Sequence, residues 1–337
     1  ESPANGGTIE IRGNNMNSPR FELFSNAENI SESSGTGGQI LIRGADNLRA
    51  ENIQLTDSSL NTSSGGGGGA GKIEFQTKVL TLSNHTDVAT ASFGQGPGGV
   101  ITVRGAEDVT IESGSRVVSD VVIGPAGLSQ GTAGIILVET QNLTLLTGGL
   151  IRAGALPDSS GNAGNIAMHG NSNNPAQSIL IDGTGSGIFS TAEGTGAGGN
   201  ILVNANSVTL QNGGTLSAKT LGTVSTATGG TITVDAPNNI TMNNASITAK
   251  SEGTADAGSI DLTAMNGFTM QNSTITTQAG QGAGGGNIKV TTSPSATVLL
   301  ESSLISASVA DGHGGGGNIS IDPQFVILQN SQILAQA

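Results

Sequence analysis

Apolar and polar residues alternate at period two in short bursts along the whole chain, and one burst recurs. It reads glycine, a variable residue, isoleucine, another variable residue and usually an aliphatic, as in Gly6-Gly7-Thr8-Ile9-Glu10-Ile11, Gly37-Gly38-Gln39-Ile40-Leu41-Ile42 and Gly317-Asn318-Ile319-Ser320-Ile321. The anchoring isoleucines are Ile9, Ile40, Ile73, Ile101, Ile136, Ile166, Ile201, Ile232, Ile260, Ile288 and Ile319. They lie 28 to 35 residues apart, so eleven copies cover essentially all of residues 1–337. Each copy carries two further bursts. One is aliphatic–x–aliphatic, often around threonine (Leu80-Thr81-Leu82, Val208-Thr209-Leu210). The other centres on one aliphatic followed two residues later by a small residue (Ile247-Thr248-Ala249, Ile305-Ser306-Ala307). Period two is the mark of a half-buried strand, and no i, i+3, i+4 stripe is present, so essentially no α-helix is expected.

The connections differ among the three corners. The interval from the second strand to the third is short and nearly constant, and asparagine often marks it (Asn212, Asn244, Asn272, Asn330), where its tolerance of positive φ suits a bend. The other two corners vary in length and accept insertions. A unit of about 31 residues cannot bury its own apolar face, but units stacked strand over like strand pair every backbone and form one apolar column. The chain is therefore expected to be a single all-β domain, a parallel β-helix (β-solenoid) of eleven three-stranded coils. At a strand spacing of roughly 4.8 Å it would be a rod about 50 Å long. The glycine ahead of each anchor has two candidate roles there: a positive-φ corner, or close passage of neighbouring backbones.

Composition first pulls the other way. Fifty-four glycines among 337 residues resemble a flexible linker, yet a linker has no reason to keep eleven registered isoleucines, and only 11 % of residues are charged. The absence of cysteine excludes disulfides, thiolate chemistry and zinc ribbons. A formal charge of −13 without a basic cluster argues against binding nucleic acid through phosphate. No apolar run approaches the roughly 20 residues of a membrane helix, and no signal peptide is visible.

At the level of the repeat, Gly-Gly-x-Ile-x-Val followed by Leu-x-Leu, x-Ile-x-Ala and a glycine-rich return resembles filamentous-haemagglutinin-like exoproteins of the two-partner secretion class. It is especially similar to the large repeat-bearing ones of cyanobacteria. Residues Gly199 to Ala218 and Gly230 to Ala249 match most clearly. The resemblance implies a right-handed β-helix exported across an outer membrane by a barrel transporter and ending outside the cell. The family's amino-terminal secretion module is not evident in these residues. The chain starts within seven residues of the first strand and stops just after the third strand of the last coil. A segment of a longer solenoid is therefore expected, with end-to-end stacking into a fibril as the alternative.

The repeat frame places each candidate chemical group in a coil and on a face. The outward mid-strand acids of the first strand, Glu10, Glu74 and Asp261, fall in coils one, three and nine, and Glu22 is the one acid expected at that position of the second strand. His85, His169 and His313 fall in different coils and corners, so neither a metal site nor a nucleophile–base pair is expected. Glu107-Asp108 reads as a solvated turn. Loop acids such as Asp256 and Asp311 change place between coils, which leaves incidental weak calcium binding and no cofactor. Outward threonines on the second strand (Thr81, Thr110, Thr144, Thr209, Thr241, Thr269) form a file interrupted by Leu180 and ended by Glu22 and Gln54 on one side and Leu299 and Ile327 on the other. That file reads as strand propensity, not as an ice-binding face.

One return loop is oddly apolar, and its Val121, Val122, Ile123 and Leu128 are the candidate interface residues. The expectation is thus a non-enzymatic secreted or cell-surface protein, a stiff rod or fibril element. Its expected partners are copies of itself or a continued solenoid, and possible further ones are cell-surface polysaccharide or protein. The alternative is an adhesin region binding glycan or receptor through the corner loops, and a polysaccharide-degrading enzyme is a distant third.

Overall fold

The eleven isoleucines stack. A computed structural model describes residues 5–25, 35–123, 130–223, 227–280, 282–310 and 314–336. In it, every neighbouring pair of anchors sits in parallel register, from Ile9 opposite Ile40 to Ile288 opposite Ile319. The protein is an all-β parallel solenoid, with ten full turns between the first rung and the eleventh. Helical structure among the described residues amounts to two three-residue 3₁₀ turns, Ala45–Asn47 and Asn171–Asn173.

First and second strands form one 18-stranded sheet, and the third strands form an 11-stranded sheet facing it. The large sheet is continuous because some coils run straight from first strand into second, as in Lys72–Ser83, Val100–Ile111, Ile135–Leu146 and Ile201–Gln211. The chain bends within these long strands at a file of small buried residues: Ala50 opposite Thr77, Ala106 opposite Thr140, Ala176 opposite Ala205, Ala236 opposite Ala264. Large side chains would not fit inside that bend. Thr77 and Thr140 donate their hydroxyls to the carbonyls of Val79 (2.8 Å) and Asn142 (2.9 Å), which satisfies backbone oxygens there.

Between the two sheets run the expected ladders. The anchors from Ile40 to Ile288 are at most 1 % exposed, and the third-strand residues Leu60, Val88, Ile151, Ile188, Leu216, Ile247, Ile275 and Ile305 are wholly buried. Burying each such side chain stabilises by roughly 1.5–3 kcal/mol. Ile9, Leu23, Ile319 and Ile333, in the outer rungs, are only partly buried, because a neighbouring rung covers them on one side.

The short corner after the second strand behaves as its asparagines foretold. Asn212, Asn244, Asn272 and Asn330 have φ of 54°, 50°, 47° and 49°, and Arg20, Asp57, Asn84, Ser113, Thr147 and Ser302 share the left-handed bend in other coils. Hydroxyls finish the corner. Backbone N–H groups of Thr86, Ala245, Ser273 and Ser303 donate to Ser115, Ser273, Ser303 and Ser331 Oγ of the next coil at 3.0–3.1 Å.

The glycine file resolves into one of its two candidate roles. None of the eleven glycines ahead of the anchors has positive φ, so the corner role is overturned. Close approach is what requires them. A Cβ on Gly71, Gly134, Gly164, Gly199, Gly230, Gly258, Gly286 or Gly317 would collide with the carbonyl oxygen of the same glycine one coil below. Each also faces the residue at which the return loop departed. Gly71 N–H donates to Thr62 O (2.7 Å), Gly199 to Ser190 O (3.1 Å), Gly230 to Ala218 O (2.7 Å), Gly258 to Ala249 O (2.8 Å) and Gly317 to Ala307 O (2.8 Å). The loop leaves at a small residue, and returns at glycine, through one pinch.

Coil one departs from expectation. Its second strand is Asn15–Pro19, with Met16 opposite Ile53 and Ser18 opposite Leu55, and Glu22 opens the third strand, opposite Ser59. Asn17, not Glu22, therefore precedes Gln54 in the threonine file. The period-two signal was weak there, because serine holds a place that leucine holds in coil two.

Alanine at Gly230 should lower the urea midpoint by the equivalent of about 3 kcal/mol or more, as an overpacked site with backbone on both sides. Alanine at Gly315, where a Cβ meets nothing within 4 Å, should change it by less than about 0.5 kcal/mol. Equal effects at the two positions would show that backbone approach is not what fixes the glycine file.

Candidate functional site

A solenoid offers its outward faces and its corners for chemistry. On the first-strand face, charge is arranged in local sets. Glu10 accepts from Arg12 Nε (3.0 Å) and from Arg43 Nε of the next coil (2.7 Å). Glu74, two coils above Glu10 and 7 % exposed in its side chain, is paired with Lys72 and with Arg104 Nε (3.1 Å), and accepts from Gln76 Nε2 (2.7 Å). Burial raises the Glu74 pKa, but hydrogen bonds from Lys72 and Gln76 and the charges of Lys72 and Arg104 outweigh it, and the carboxyl is held below its ordinary value. Asp261 stands apart, beside Lys289 of the next coil. Glu10 and Glu74 are thus each paired with cations of their own and a neighbouring coil, Asp261 has Lys289 in register, and none of the three has another of the three beside it.

The remaining candidates disperse. Glu107 and Asp108 are exposed at the bend of Val100–Ile111. His85 takes part in the left-handed corner, and His169 places Nδ1 2.7 Å from Gly170 O. Asp256 Oδ1 accepts from Gly284 N–H of the next coil at 2.6 Å, which ties two return loops together. His313 and Asp311 lie outside the described residues, and among those described no group of three His, Cys, Asp or Glu could hold a metal ion.

The apolar return loop also looks different in place. Val121 is wholly buried, and it belongs to a fourth file that continues each coil beyond its third strand: Ser64, Ser92, Val121, Ala155, Ala192, Thr220, Ser251. Its N–H donates to Gly154 O at 2.9 Å. Val122 and Ile123 are half-buried, and Leu128 lies outside the described residues. The fourth file escaped the sequence reading because its members are small and share no residue type. Their constant distance from the third-strand aliphatic, four residues in each coil, was the available signal.

The corner between first and second strands carries a saddle. Its walls are two matching loops four coils apart, each closed by glycine: Gly44 N–H to Leu48 O (3.0 Å) and Gly170 N–H to Asn174 O (2.7 Å), with Asp46 and Ser172 left-handed. Coils three to five between them bend without any projecting loop. The groove, ≈ 490 Å³, takes Arg49, Gln76, Arg104, Glu139 and Asn171 from five successive coils. Arg49 reaches along it to donate to Gly105 O, two rungs away, and the bare Cα of Gly105 leaves room for the guanidinium. Asn171 Oδ1 is buried without a partner. The two insertions are visible in the sequence only as longer corners, and their shared shape is not.

Comparisons with protein-family models, with curated proteins and with solved structures match nothing. Among the described residues no helix is long and apolar enough to cross a membrane.

The Glu74 pairing sets a pH dependence. With its folded pKa lowered, Glu74 contributes stability that is complete above the unfolded value of 4.5 and is lost as pH falls through the folded value. Glu74→Gln should therefore give a melting temperature that falls less steeply than the parent's below pH 4.5. Identical slopes in calorimetry at stepped pH would remove Glu74 from the acid response.

Proposed function

We propose that this chain is a structural element of a secreted or cell-surface protein, a stiff rod in an extracellular layer, filament or stalk. The observation that carries the reading is the unbroken register of the anchor file over eleven rungs. Every rung is hydrogen-bonded to the next along the axis, so bending or stretching the rod breaks backbone bonds together. The filamentous-haemagglutinin-like repeat resemblance supports the same reading and adds an export route to it. Localisation outside the cell is part of the proposal, as are end-to-end partners.

A second reading, an adhesin region, is favoured by the saddle. Two matched loops on a rigid scaffold, with polar side chains from five coils between them, are the usual arrangement of a contact surface. Neither reading assigns a bond-making or bond-breaking step to any residue.

Immunogold electron microscopy of intact source cells should label external fibrous material, and label confined to the cell interior would overturn the rod reading. In the same preparation, Val122→Asp with Ile123→Asp should reduce lateral or end-to-end association at least about fivefold if the half-buried loop joins subunits. Unchanged association would remove that loop as an interface.

A further inference from the structure

The third-strand face of coils six to nine contains a groove of ≈ 440 Å³ that neither functional reading uses. Its floor is built from strands Gly187–Phe189, Thr215–Ser217, Ser246–Thr248 and Thr274–Thr276, stacked in parallel register. The central residue of each strand points into the core, and the flanking residues line the groove in two files, of which Ser217 and Thr276 are themselves buried. Three successive rungs present Thr215 and Ser217, Ser246 and Thr248, Thr274 and Thr276. Thr215 and Ser246 bond to each other (3.1 Å), whereas Thr248 Oγ1 is buried with no hydrogen-bond partner.

Three further features distinguish the groove from a plain hydroxyl stripe. Phe189 closes one end, and its ring folds back onto Gly187, where a Cβ would come 2.7 Å from the ring atoms. Residues 153–337 hold only three cationic side chains, Lys219, Lys250 and Lys289, and two of them line this groove on consecutive coils. Two acids, Glu193 and Glu252, line it too, and Lys219 Nζ lies 3.7 Å from Glu252. Lys250 has no ion-pair partner among the described residues. Within the groove the two positive and two negative charges cancel, in a protein whose formal charge is −13.

We infer that this groove binds a linear, neutral polysaccharide chain lying along the solenoid axis. Hydroxyl pairs repeat here once per rung, at roughly 4.8 Å, and an extended glycan advances by one sugar ring over a similar distance. Serine and threonine both donate and accept, as sugar hydroxyls do, and Lys250 and Glu193 add one strong donor and one strong acceptor. The phenyl face of Phe189 suits the C–H face of a sugar ring. An acidic chain would gain from the lysines but would meet Glu193 and Glu252 as well as the field of the whole protein. An ice plane, which also matches hydroxyl ladders, is flat and would not reach the floor of a walled groove. The inference deepens the rod reading by giving the rod a matrix component to hold, and it depends on that reading only for the sugar's biological source.

Isothermal titration of the purified chain with cellohexaose tests it, with hexagalacturonate as the acidic comparison. Saturable binding of cellohexaose is expected, with hexagalacturonate at least about tenfold weaker. Thr248→Val and Phe189→Ala, each checked for an unchanged melting temperature, should weaken it at least about fivefold. The inference is overturned by no saturable binding of cellohexaose, by binding that these variants leave unchanged, or by a preference for hexagalacturonate. A failure here is separate from a failure of the rod reading, which is decided by where the native material lies and not by sugar binding.

Discussion

The pinch at which each return loop closes is the constraint on which the remaining structure depends. At that point two segments of one coil run side by side, and the coil below lies directly beneath them. Gly230 shows the geometry: its N–H is bonded to Ala218 O of its own loop entrance, and its Cα rests on the carbonyl of Gly199. Contacts on two sides leave no volume for a side chain, and the loop entrance itself must also be small, as Ala218, Ala249 and Ala307 are. Past the pinch and the fourth file two residues on, the rest of the loop is free to differ from coil to coil. That is why return loops of quite different length can follow one another without disturbing the ladder of isoleucines.

This separation explains how much could be read from the sequence. The anchors, the threonine file and the left-handed asparagines belong to the invariant part of the coil, where each position meets the same neighbours in every turn. Period two and constant spacing expose such positions directly. Coil one shows the limit. Met16 and Ser18 occupy inward places that Ile53 and Leu55 hold one coil later, and with one aliphatic missing the second strand was displaced to Glu22. The fourth file was missed for a related reason. Ser92, Val121 and Ala155 share only their size and burial, and neither is a property of residue type alone.

The candidate sites were harder to foresee, because they arise from differences between coils and not from the repeat. The saddle needs two corner loops of equal shape and three bare corners between them, which becomes visible only when the coils are stacked. The third-strand groove is made by the residues that flank the central aliphatic of each triplet, not by the aliphatic that marks the strand. Thr-Leu-Ser, Ser-Ile-Thr and Thr-Ile-Thr are written plainly at 215–217, 246–248 and 274–276, but their outward residues form a surface only once the register is fixed.

Charge divides the rod in a way that bears on where contacts can form. In the first coils the outward cations are consumed locally: Arg12 and Arg43 on Glu10, Lys72 and Arg104 on Glu74, Arg116 on Asp87, and Arg152 on the buried Asp120 at 2.6 Å. Four of these six pairs, those of Arg43, Arg104, Arg116 and Arg152, cross from one coil to the next and so reinforce the axial backbone bonds, though exposed ones add at most about 1 kcal/mol each. Beyond residue 152 a single ion pair remains among the described residues, Lys219 with Glu252 at 3.7 Å. There, Ser, Thr and Asn take over the outer faces, as in the Asn165–Asn200 and Asn287–Asn318 contacts at 3.1 and 3.0 Å. A face of neutral hydrogen-bonding groups is less screened by salt than one of ion pairs and does not discriminate by charge. The half of the rod that lacks ion-pair ladders is therefore the half whose surface is chemically suited to another neutral, hydroxyl-rich surface, and the Phe189 groove lies within it.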